Sequence, residues 1–194
     1  MKAKSVLTVF IALLILSLAV AFSVFPFMKG STPLPVLGQV QAFTLKDSGG
    51  QEFNSDQLRG KVWIASFFFT TCSGVCPMIS KNMAFLSRTF ERLENIHLVS
   101  ITVNPEQDSP EVLARYAERY KGDRQNWHFL TGSREAVTDV IVGSFKVGNM
   151  KEPVFHTTYF PLVDSRGFIR GYYDGAKDSE ISRLLKDAIH LAHR

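Results

Sequence analysis

Residues 61–69, KVWIASFFF, constrain the fold more than any other stretch of the chain. After Lys61 only Ser66 is polar, so the run has neither the alternation of a half-exposed strand nor the length of a membrane helix. It reads as a strand covered on both faces, which demands layers of structure on either side. The rest of the sequence offers them. Residues 41–46 read as a strand, followed by the turn Asp47-Ser48-Gly49-Gly50 and a return at Gln51-Glu52-Phe53. Over residues 77–93, Met78, Phe85, Leu86 and Leu93 recur at helical spacing, with Lys81, Arg88 and Arg92 on the other face. Residues 96–103 form a second buried strand. Ser109 caps a helix whose first position is Pro110 and which runs to about Lys121. A short strand at 127–130, a helix at 133–145, a hairpin of 159–164 with 168–173 around Ser165-Arg166-Gly167, and an amphipathic helix at 178–193 complete the order.

Strands alternating with helices, then a terminal hairpin and helix, describe an α/β fold: a mixed sheet flanked by helices in the thioredoxin-like, peroxiredoxin-related arrangement. At 194 residues the chain suits one such domain. Its net charge of +4 includes Lys2 and Lys4, and residues 1–27 hold no acid. The remainder carries 20 basic against 18 acidic side chains, with no basic cluster interleaved with aromatics, so nucleic acid is not an expected partner.

The N-terminus sets the expected location. Residues 6–25 are uncharged and apolar except for Thr8, Ser17 and Ser23. Twenty helical residues rise about 30 Å, the thickness of the hydrocarbon layer. The apolar core of a cleavable signal is shorter, about 7–15 residues, which favours an uncleaved transmembrane anchor, although Ala19-Val20-Ala21 offers a cleavage pattern. Lysines on the N-terminal flank alone keep that end cytoplasmic and export the rest. The expectation is a single-pass protein of a bacterial inner membrane facing the periplasm. No cysteine in the segment is available for lipid attachment. The expected division is anchor or signal at 1–28, a Gly/Pro-containing linker at 29–39 and a thioredoxin-like domain at 40–194.

Only two cysteines occur, in Thr70-Thr71-Cys72-Ser73-Gly74-Val75-Cys76-Pro77. They follow the most buried strand and precede a helix, where open α/β sheets gather their ligand chemistry. A helix N-terminus also lowers a thiol's pKa and favours the thiolate. A structural disulfide is the plain alternative, but closing so short a loop contributes little stability. The spacing Cys-x-x-x-Cys departs from the Cys-x-x-Cys of thioredoxin exchange and lets both sulfurs converge on one ion. Two soft thiolates suit Cu(I), and an added imidazole can retain Cu(II). A structural zinc site needs more ligands than the cysteines provide.

GKVWIASFFFTTCSGVCP, TVNPEQDSP and HTTYFPLVDSRG together resemble the Sco/SenC/PrrC family of copper-binding cytochrome c oxidase assembly proteins. The likeness covers the anchor and essentially all of the chain from about Val40. It implies that Cys72, Cys76 and His156 coordinate one copper ion. It also implies a metallochaperone, rather than an enzyme, that helps metallate the CuA centre of cytochrome c oxidase subunit II, with thiol–disulfide exchange on that partner's cysteines as a further capacity. His156 stands before the 159–164 strand, where thioredoxins carry a cis-proline loop facing their cysteines; Thr157 and Thr158 take that place here. In the loop Asn104-Pro105-Glu106-Gln107-Asp108-Ser109-Pro110, Asp108 matches the family's Asp-Pro-x-x-Asp-Thr-Pro, whereas Asn104 replaces its first aspartate. Asp108 is not expected to be a ligand, and Ser165, where the family favours proline, concerns only a turn. His190 and His193 read as a solvated last turn, and nothing marks His97 or His128 as chemical. Competing readings are a thiol–disulfide oxidoreductase using Cys72 and Cys76 alone, a peroxidase suggested loosely by Phe69-Thr70-Thr71-Cys72, and an interaction module with an inert disulfide.

Overall fold

A computed structural model describes residue 17 and residues 33–122, 126–147 and 158–193. Residues 34–194 make one compact unit. Its eight-stranded sheet runs β1-β8-β7-β4-β5-β6-β2-β3, formed by β1 (Gly38–Gln39), β2 (Thr44–Asp47), β3 (Glu52–Asn54), β4 (Val62–Phe68), β5 (Ile96–Thr102), β6 (Trp127–Thr131), β7 (Tyr159–Val163) and β8 (Phe168–Asp174). The helices are α1 (Cys76–Thr89), α2 (Pro110–Tyr120), α3 (Arg134–Thr138) and α4 (Asp178–Ala192). β4, β5 and β6 are mutually parallel, while β7 runs antiparallel to β4 and β8 to β7. This is the mixed sheet flanked by helices that the sequence leads one to expect.

Every residue of β4 and β5 is buried. Beneath the uniform apolar composition the pleat still sorts them. Val62, Ile64 and Phe68 enter one core with Met83, Leu86, Leu113 and Leu184 from the helices. Trp63, Ala65 and Phe67 enter the other with Val137, Ile141 and Phe145. Ser66, the one polar residue of the run, shares a 2.7 Å hydrogen bond with Ser100 on β5, and the Trp127 indole N–H donates to Ser100 as well. The polar interruption is thereby satisfied inside the sheet.

Two local departures have identifiable causes. The helix expected over 133–145 is α3 followed by a π-helical turn at Asp139–Ser144. The wider turn carries Phe145 into the core, where it meets Trp63 and Phe67 edge-on. Within residues 29–39, Leu37 N–H donates to Ile169 C=O and β1 pairs with β8. Arg170, buried beside Asp164 at 2.9 Å, donates to the Leu34 and Pro35 carbonyls and holds that segment down. Among the described residues no helix is long and apolar enough to cross a membrane; apart from Ser17, the expected anchor at 1–28 lies outside them.

Candidate metal centre

β4 ends at Phe68, and the chain turns through Thr70 and Thr71 into the cysteine loop before α1 begins at Cys76. Val75 precedes the helix and its carbonyl accepts from Met78 and Ile79. Pro77 occupies the first turn, where a missing N–H costs nothing. No acidic side chain sits in that turn, so its free N–H groups and partial positive charge are left for the sulfurs.

The two cysteines are unbridged, Cys72 half-buried and Cys76 buried. The Cys76 side chain is hydrogen-bonded to the Cys72 sulfur, which puts the two sulfurs side by side. Their acidities diverge. Burial pushes the Cys72 thiol up, but hydrogen bonds from the Cys76 side chain and from the N–H groups of Cys76, Gly74 and Val75 outweigh it and leave the thiol lowered. Burial, reinforced by the bond to Cys72, pushes Cys76 up to about 12 against the opposing backbone hydrogen bond from Phe69. The general expectation that a helix N-terminus favours thiolate therefore holds for Cys72 alone. At Cys76 the covering core wins, because the charged form is penalised more by lost water than it gains from the helix end.

His156 lies outside the described residues. Among the described residues no group of three or more His, Cys, Asp or Glu side chains could hold a metal ion. Thr158, two residues beyond, is described: its carbonyl accepts from Gly175, whose own carbonyl accepts from Asn82 of α1. The β4–β7 register pairs Ile64 with Leu162.

Asp108 is the residue the sequence undervalues. It is fully buried and accepts from Thr70 N–H at 3.1 Å, Thr70 Oγ1 at 2.5 Å and Thr102 Oγ1 at 2.5 Å. The loop after β5 thus does border the cysteine loop. Asn104 contributes backbone bonds: its N–H donates to Thr102 Oγ1 and its carbonyl accepts from Gln107 and Asp108. A threonine just past β4, a threonine at the end of β5 and an aspartate a few residues later were the available signal.

The other histidines lie elsewhere. His97 and His128 contact each other at 3.1 Å across β5 and β6, toward the amino ends of these strands. His190 is half-buried and His193 exposed at the end of α4. Ser165 sits in the β7–β8 turn, where its carbonyl accepts from Gly60.

The sequence model of the SCO1/SenC family matches residues 36–190. The chain belongs to the SCO1/SenC family. It is 32% identical to the SCO1 protein homolog of Bacillus subtilis (strain 168) over 161 residues, covering 79% of this chain and 82% of that one. Its fold is similar to that of BsSco, described as a member of the Sco family of cytochrome c oxidase assembly proteins with a disulfide switch, at a TM-score of 0.72 and 28% identity over 82% of this chain and 97% of that one. It is also similar to yeast Sco1, solved with copper bound, at a TM-score of 0.61 and 25% identity over 80% of this chain and 94% of that one.

Proposed function

We propose that this SCO1/SenC protein is a copper metallochaperone, holding one copper ion through Cys72, Cys76 and His156 and helping to metallate the CuA centre of cytochrome c oxidase subunit II. The observation that carries the reading is the pair of unbridged sulfurs in mutual contact on a half-exposed loop at a helix N-terminus. Two thiolates make a soft, low-coordinate seat for Cu(I), and an imidazole added to them suits Cu(II). Copper loading displaces the thiol protons, and the hydrogen bonds that gather on Cys72 are spent on sulfur in either state. Support for adding His156 comes from the chain nearby: Thr158, two residues on, is fastened through Gly175 to Asn82 on the helix that Cys76 begins. The apolar N-terminus would tether the domain to the bacterial inner membrane on the periplasmic side, where copper can pass by ligand exchange to a membrane-bound oxidase.

A second reading is favoured by the unequal thiols. A lowered, accessible Cys72 backed by a buried Cys76 with a raised pKa is the pattern of an attacking and a resolving sulfur in thiol–disulfide exchange, and a disulfide switch is described for BsSco. Copper titration of the reduced full-length protein separates the two. The chaperone reading expects about one copper per chain, with Cu(II) affinity falling about tenfold or more in His156→Ala. Unchanged Cu(II) affinity in that variant would remove His156 from the ligand set, and a reduced wild type that takes up no copper while its disulfide exchange is intact would leave only the oxidoreductase.

A further inference from the structure

We propose that Asp108 is a positioning residue for the cysteine pair, acting through the peptide between Phe69 and Thr70. Thr70 N–H and Phe69 C=O belong to the same planar unit. Asp108 Oδ2 grips the N–H of that plane at 3.1 Å, and Cys72 N–H donates to its C=O at 3.2 Å. The neighbouring Phe69 N–H is hydrogen-bonded to the Cys76 sulfur. Both cysteines therefore take a bond from the short stretch that Asp108 holds.

The grip is anchored on the far side too. Thr102 Oγ1 donates to the same Oδ2 at 2.5 Å, and Thr70 Oγ1 donates to Oδ1 at 2.5 Å. Asp108 N–H donates to the Asn104 carbonyl at 3.0 Å, which closes the loop on β5. Among the described residues this fully buried carboxyl group is met only by two hydroxyls and an amide, with no cation there to repay its lost hydration. A loop needing closure alone would be satisfied by the bond to Asn104. Two of the three side-chain bonds go instead to Thr70, so the cost is incurred to fix the strand end that carries the cysteines.

Asparagine and alanine at this position separate the grip from the charge. With its oxygen at the Oδ2 position, Asp108→Asn keeps the bond to Thr70 N–H, and its amide donates to Thr70 Oγ1 once that hydroxyl turns. Asp108→Ala loses every bond. The test compares both variants with wild type in the full-length protein, reading the Cys72–Cys76 dithiol–disulfide equilibrium against glutathione, the thiolate-to-copper absorption and the Cu(II) affinity. Folding is followed separately by thermal unfolding. The copper arm rests on the chaperone reading; the thiol equilibrium does not, so a wild type that takes up no copper sinks that reading and still leaves the inference decidable.

The expected result is a shifted thiol equilibrium, a moved absorption band and an affinity loss of about tenfold or more in Asp108→Ala, with Asp108→Asn close to wild type. A folded Asp108→Ala whose thiol equilibrium and copper spectrum match wild type, whatever its melting temperature, reduces Asp108 to a loop fastener and overturns the proposal. Asp108→Asn displaced as far as Asp108→Ala overturns it equally, because charge would then matter and not the grip. If Asp108→Ala does not fold, Asp108→Thr, close to aspartate in volume and lacking the second oxygen, carries the same comparison.

Discussion

Two buried aspartates stand at opposite ends of β4, and the sheet treats them differently. Asp164 follows β7 beside the amino end of β4 and is met by the buried Arg170 at 2.9 Å and by the N–H groups of Arg166 and Phe168. Asp108 lies past the carboxyl end and, among the described residues, is met by hydroxyls and one amide with no cation. The histidines sharpen the contrast. His97 Nε2 lies 3.2 Å from the Glu94 carbonyl, which accepts only, so that nitrogen carries the proton and Nδ1 is left as an acceptor. His128 Nε2–H then donates to it at 3.1 Å. At the amino end charge is cancelled and the lone pairs of this contact are spent inside the protein. At the carboxyl end the acceptors include two soft, unbridged sulfurs, and no cation among the described residues meets Asp108. The two ends thus differ in donor chemistry, soft thiols at one and imidazoles with a paired carboxylate at the other.

The strongest way to break this comparison is to ask both ends for copper. Cys72→Ser and Cys76→Ser should each abolish stoichiometric uptake by the reduced protein, while His97→Phe and His128→Phe should keep about one copper per chain. Copper lost in the histidine variants, measured by equilibrium dialysis, would mean that the amino end is no mere structural cluster. Next in size is the ion pair. Arg170→Met strands the buried Asp164 carboxylate and releases the Leu34 and Pro35 carbonyls, so urea unfolding should show a loss of about 3 kcal/mol or more. The double change Asp164→Asn with Arg170→Met should recover part of that, since it leaves no uncompensated charge. No recovery would show that the tether to residues 34 and 35, and not the charge, carries the stability.

The regular parts of this fold are local in origin and were legible. Ser109-Pro110 starts α2 where expected, with Ser109 Oγ accepting from Val112 N–H, and the apolar runs at 61–69 and 96–103 became the two fully buried strands. The place of the cysteine loop, between β4 and α1, was legible because spacing and placement are sequence properties. What stayed hidden depends on distant partners. Asp108 reads as a loop residue until the parallel register aligns Phe68 with Thr102 and brings Thr70 within its reach. Arg170 meets Leu34 and Pro35 across most of the chain. The raised thiol of Cys76 requires knowing that α1 presses it into a core with Phe68 and Tyr116, and the π-helical turn before Phe145 answers to ring packing that no local propensity records.

The smallest expected effect sharpens the histidine half of the comparison. Burial lowers His97, aided by Lys61 and opposed by the Glu94 carbonyl. Burial also brings His128 down to about 4, helped by His97 and Lys61 and resisted by Asp47. A histidine lowered in the folded state takes up protons more readily once unfolded, so stability is whole above the ordinary histidine range and declines as pH falls through it. For His128 the decline runs from about 6.5 to about 4, below which both states are protonated and the loss levels off. The contribution is about 3 kcal/mol across that window. Urea midpoints from pH 8 to 4 should therefore fall more steeply in wild type than in the double variant His97→Phe with His128→Phe, whose ring at 128 can still pack on Phe53. Parallel curves would mean that the pair is protonated in the folded protein, and that the amino end tolerates a buried cation after all.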